Sequence, residues 1–73
     1  MKTRDGKAIT IGSTLRYKRT GHRGLILCKV TDLSERSNRV TIELLEEVVY
    51  EGTAGRRTLR TTVVHPHSLF AVQ

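Results

Sequence analysis

Aromatic residues are scarce in this chain, which has two tyrosines, one phenylalanine and no tryptophan among 73 residues. Its core must therefore come mainly from Val, Ile and Leu, a palette that suits pleated, half-buried strands. An array of rings for base-specific readout is not available, so any nucleic-acid binding would run on shape and backbone. Cysteine occurs once, at Cys28, and proline once, at Pro66. A lone cysteine excludes a disulfide within the chain and fits a reducing, cytoplasmic compartment. The longest apolar run, Leu25 to Cys28, falls far short of the roughly 20 residues of a membrane-spanning helix. The start, MKTRDGKAITIG, lacks the apolar centre of a secretory signal and is broken by Asp5 and Gly6, so it reads as a native cytoplasmic N-terminus. No repeat, low-complexity tract or linker divides the sequence, and residues 1–73 read as one domain. A chain of this length buries only about 60% of its unfolded surface, so a single thin core is expected.

Positive charge is abundant. Thirteen Lys and Arg face seven acids, a formal net charge of +6. The distribution is uneven: residues 1–40 hold ten bases against three acids, residues 41–51 hold four Glu and no base, and residues 52–73 add three Arg. Nine of the bases are Arg, the side chain that pairs bidentately with phosphate and stacks on bases. The pattern points toward a nucleic-acid partner, although such charge also serves solubility alone.

Period-two alternation predicts strands. Leu15 and Tyr17 alternate with Arg16 and Lys18 over Thr14 to Arg19. The following Thr20-Gly21-His22-Arg23-Gly24 contains two residues that accept positive φ, so the chain reverses there into a hairpin. Ile26, Cys28 and Val30 then share one side of a central strand, with Lys29 and Thr31 opposite. After the polar turn Ser34 to Asn38, Val40, Ile42 and Leu44 point inward from a third strand. The segment Leu44 to Tyr50 also fits a helix, with Val40, Leu44 and Val48 at i, i+4 and i+8 and Gly52 as a C-cap. The β-branched run Arg57 to Val64, however, needs a strand partner, and the nearest lies across Glu51 to Gly55. A long hairpin with a bulge near Leu44-Leu45 is therefore expected. Pro66 forces a short excursion from the sheet before a closing strand, Leu69 to Val72. The expected fold is all-β, a small five-stranded SH3-like barrel with a long middle hairpin.

Three stretches, Ile11-Gly12-Ser13-Thr14-Leu15-Arg16-Tyr17, Thr20-Gly21-His22-Arg23-Gly24-Leu25-Ile26 and Asn38-Arg39-Val40-Thr41-Ile42-Glu43, resemble the KOW segment of SH3-like barrels. That family includes NusG-type transcription factors and certain large-subunit ribosomal proteins. The likeness covers roughly residues 11 to 43. About two extra residues between Ile26 and Asn38, and the extension EVVYEGTAGRRTLRTTVV, depart from the pattern. The opening Asp5-Gly6-Lys7, the stretch Ile11 to Tyr17, the Thr20-Gly21 turn and the closing Leu69-Phe70 are similar as well to a small archaeal family of unknown function. The KOW resemblance implies that Lys18, Arg19, His22 and Arg23 face RNA, with Gly12, Gly21 and Gly24 shaping the turns.

From the residues themselves, Arg16, Lys18, Arg19 and Arg23 form either a phosphate-tracking strip or the solvated face opposite Leu15 and Tyr17. Arg56 and Arg57 at the hairpin tip, with Arg60, are either an exposed binding arm or cross-strand partners of Glu46, Glu47 and Glu51. Tyr17 and Tyr50 fit half-buried strand positions better than stacking platforms. Cys28 alternates with core residues and reads as a small buried apolar side chain. His65-Pro66-His67, even with His22 and Cys28, lacks metal-ligand spacing, and no nucleophile, base and carboxylate stand in a catalytic pattern. The expected function is non-enzymatic and cofactor-free: low-specificity binding of RNA or DNA within a larger complex. The alternative is a protein-interaction module that docks an acidic partner, or a second copy, through a sheet edge or the long hairpin.

Overall fold

Alternation along the chain becomes five strands: β1 (Thr14–Tyr17), β2 (Ile26–Ser34), β3 (Arg39–Gly52), β4 (Gly55–Val64) and β5 (Leu69–Ala71). The structure, a computed structural model, describes residues 1–19, 23–52 and 55–72, apart from the side chains of 47–52, 56, 57 and 59. All strand pairs are antiparallel and form one sheet in the order β4-β3-β2-β1-β5. A 3₁₀ turn, Pro66–Ser68, precedes β5, where proline was expected to interrupt the sheet. No α-helix occurs among the described residues.

β1 stops at Tyr17, two residues before the alternation ends. Its partner β2 begins only at Ile26, after Gly24 turns the chain at φ +75°. The ambiguous segment from Leu44 to Tyr50 is strand. Val48 pairs with Leu59, and pairing continues to Gly52 opposite Gly55, so a helix there would leave the outer half of β4 without a ladder. The expected bulge is present and larger than a single residue: between Glu43↔Thr61 and Val48↔Leu59, positions 44–47 of β3 stand against Arg60 alone. The Glu46 carboxylate compensates by accepting the Leu27 N–H at 3.0 Å. A second irregularity lies in β2 between Val30 and Asp32. The extra residue resets the alternation, leaving Asp32 exposed and turning Leu33 toward the core opposite Val40.

One cluster forms the core: Leu15 and Tyr17 from β1, Ile26, Cys28 and Val30 from β2, Val40, Ile42 and Leu44 from β3, Val64 from β4, Leu69 from β5, and Ile9. Val64 and Leu69 come from the two edge strands yet share this cluster with Cys28 and Val30 of β2, the middle strand. A single sheet achieves that only by curling around its own inward side chains. β4 and β5 are not paired with each other, so the sheet is open.

Cys28 is fully buried, and its Sγ–H donates to the Leu15 carbonyl at 3.4 Å. Burial pushes its thiol up from 9.0 to about 11, which cuts the reactive thiolate fraction near neutral pH about a hundredfold. The folded protein is accordingly expected to resist a disulfide reagent such as DTNB, and one thiol per chain to react after denaturation. Rapid stoichiometric labelling of the folded protein would contradict this placement.

Candidate nucleic-acid interface

The same alternation that buries Leu15 and Tyr17 leaves Arg16 exposed on the opposite side of β1, and Lys18 is exposed just beyond it. Phe70 of β5 is the register partner of Arg16, with Leu27 of β2 across from it on the other side. The outward surface of the β1–β5 border thus joins a guanidinium to an aromatic ring from the far end of the chain. Arg19 is half-buried and partnered, whereas Arg23 is exposed beside Gly24. Gly21 and His22 lie outside the described residues. Gly12 adopts φ +91° and donates its N–H to the Val30 carbonyl at 2.8 Å, which fastens the turn before β1 to the bulged part of β2.

Arg56 and Arg57 belong to β4, where backbone register sets them opposite Glu51 and Tyr50. Their side chains lie outside the described residues, as does that of Tyr50. Arg60 is exposed at the bulge. Tyr17, only 8% exposed, is a core residue and no stacking platform. His65 accepts the His67 N–H on Nδ1 at 3.1 Å, while its Nε2 faces the Asn38 side-chain amide at 3.2 Å. With both nitrogens engaged, this histidine serves as the N-cap of the 3₁₀ turn. No group of three or more His, Cys, Asp or Glu among the described residues could hold a metal ion.

Beside the Arg16–Phe70 pair lies an open cleft of about 200 Å³, lined by Arg4, Lys18, His67, Ser68 and Phe70. Backbone bonds fix its walls. The Arg4 N–H donates to Leu69 O at 2.9 Å on one side of β5, and the Lys18 N–H donates to Ser68 O at 2.9 Å on the other. The neighbouring acid is already occupied: both Asp5 carboxylate oxygens accept the Ala71 N–H at 3.1 Å, and the Thr3 hydroxyl donates to one of them. The Thr3 bond first, then the Ala71 bond, holds the Asp5 carboxyl below the usual carboxylate range. Asp5 does not line the cleft. Of the residues singled out in the sequence for binding whose side chains are described, Lys18 alone reaches this concavity. Arg4, His67, Ser68 and Phe70 carried no local signal, because strand pairing between the two ends of the chain assembles them.

Acidic side chains border this surface on the β2–β3 side, the nearest of them bound to Leu27, the register partner of Arg16. Glu43 sits opposite Lys29 across β2 and β3, and Glu46 is tied to Leu27. Among the described residues Arg4, Arg16 and Lys18 have no carboxylate partner. Compared with family models, curated proteins and solved structures, the chain matches none.

Proposed function

We propose that this chain is a non-enzymatic, SH3-like small β-barrel of KOW type that binds RNA or DNA with low sequence specificity, as one part of a larger assembly. The observation that carries the reading is the exposed pair of Arg16 in β1 and Lys18 just beyond it, without a carboxylate partner among the described residues, with Arg23 exposed ahead of β2. Unpaired arginine and lysine side chains along a strand match the spacing of phosphates and bind by displacing counterions. The curled five-stranded sheet, with its last strand returning beside the first, supports the barrel-like part of the reading. The KOW resemblance supports the partner class.

The test is an amide NMR titration of the labelled domain with short single-stranded RNA, then duplex DNA, at low and moderate salt. Salt-sensitive shifts at residues 16, 18, 23 and 24 are expected. Absence of shifts with either ligand would overturn the reading. A second reading, docking of an acidic extended segment onto the sheet, is favoured by β4, which has a strand neighbour on one side only. Edge pairing of that kind would change little with salt, whereas phosphate binding weakens log-linearly.

A further inference from the structure

We propose that the cleft between the N-terminal segment, the end of β1 and the 3₁₀ turn seats one unpaired nucleotide of a single-stranded RNA or DNA. Arg4 and Lys18 hold its phosphate, and Phe70 stacks on its base. The inference rests on the nucleic-acid reading above and narrows it to an unpaired strand.

Size is the first argument. At about 200 Å³ the cleft is below the roughly 300 Å³ at which pockets for drug-sized ligands begin, so it fits one phosphate and the rim of a ring. Composition is the second. Two cationic side chains, an imidazole, a hydroxyl and an aromatic ring converge there, and among the described residues no carboxylate does. The one acid close in sequence, Asp5, spends its oxygens on Ala71 and Thr3.

Construction is the third argument. The junction of the 3₁₀ turn and β5 runs between Arg4 and Lys18: the Arg4 N–H is fastened to Leu69 and the Lys18 N–H to Ser68. Their side chains therefore project from fixed points on either side of Ser68 and Phe70. The Ser68 N–H is itself consumed by His65 O at 2.9 Å, which holds the turn closed. His67 stands edge-on to His65 at 5.0 Å between ring centroids, and this orients its imidazole at the cleft wall.

Phe70 decides between paired and unpaired strands. It is half-buried and on the outward side, adjacent to Arg16. A base reaches such a ring only when it is out of a duplex, and stacking tolerates any base because every base has a π-face. Arg16, the register partner of Phe70, is exposed beside the cleft, where a neighbouring phosphate of the same strand can reach it.

The experiment measures binding of a short labelled oligo(dT) strand, its duplex with oligo(dA), a thymidine mononucleotide and inorganic phosphate to wild type, Arg4→Ala and Phe70→Leu. Arg4 is exposed and its anchoring bond is a backbone bond, so Arg4→Ala keeps the fold; Phe70→Leu keeps apolar packing and removes only the ring. Either variant is expected to bind the single strand about fivefold or more weakly, the scale of one stacked base or one lost phosphate contact. Duplex affinity is expected to be unchanged in Phe70→Leu. In wild type, inorganic phosphate should shift the amides of Arg4 and Lys18, and the mononucleotide should shift Phe70 as well.

Single-strand affinity equal to wild type in both variants overturns the seat. If Arg16→Ala still weakens binding in that case, the broader nucleic-acid reading survives. A mononucleotide that binds as tightly as the strand overturns the assignment to a strand in favour of a free nucleotide. Failure of every nucleic acid to bind removes both readings together.

Discussion

Replacing Arg16, Lys18 and Arg23 together by alanine lowers the affinity for single-stranded RNA by roughly two orders of magnitude at low salt, because each phosphate contact contributes about 0.7 to the slope of log K against log salt. Three lost contacts flatten that slope by about 2. The three side chains are exposed, and exposed substitutions away from caps and core usually change stability by about 0.5 kcal/mol or less. Melting should therefore hardly move. Arg19 is left in place because it is half-buried and partnered, and its removal would mix a folding effect with a binding effect. Fluorescence anisotropy across a salt series reads both quantities at once. A slope equal to that of wild type would show that these side chains do not touch phosphate.

Substituting Ile42 by alanine has the largest expected effect on the fold. Ile42 is fully buried in the first part of β3, opposite Val30 on one side and Thr62 on the other. Truncating a buried isoleucine to alanine costs about 2–5 kcal/mol. A domain of 73 residues has only about 4–11 kcal/mol in hand. With no second layer to collapse onto the cavity, a melting-temperature drop of at least about 10 °C is expected, followed by circular dichroism. A drop of only a degree or two would mean that the inward side of the sheet is not where stability resides.

Much of the sheet was legible because it depends on alternation, which is local. Ile26, Cys28 and Val30, then Val40, Ile42 and Leu44, are buried as their spacing requires. The pull of Arg57 to Val64 for a partner outweighed the helix-forming composition of Leu44 to Tyr50, a case of tertiary pairing overriding propensity. The bulges were harder to read. One was expected near Leu44-Leu45, but its span of four positions, and the one after Val30, depend on how the strands coil in space. The basic strip was visible in part, as Arg16 and Lys18. Its aromatic neighbour was not, because Phe70 meets Arg16 only through the pairing of β5 with β1. Arg4 joins them through a bond to Leu69, and no spacing rule spans that distance along the chain.

The fastening of the N-terminal segment along β5 also fixes the direction in which the sheet can grow. With Lys18 paired to Ser68 on the β1 side, the backbone groups of Leu69 and Ala71 point to the far side. There the Leu69 N–H is taken by Pro66 O, the Leu69 carbonyl by Arg4 and the Ala71 N–H by Asp5. An incoming strand finds those three positions occupied. Sheet edges are the places where chains recruit one another, and here one margin is sealed by the protein's own first residues. A visiting strand is thus directed to β4, on the border of the sheet opposite the Arg4–Phe70 cleft.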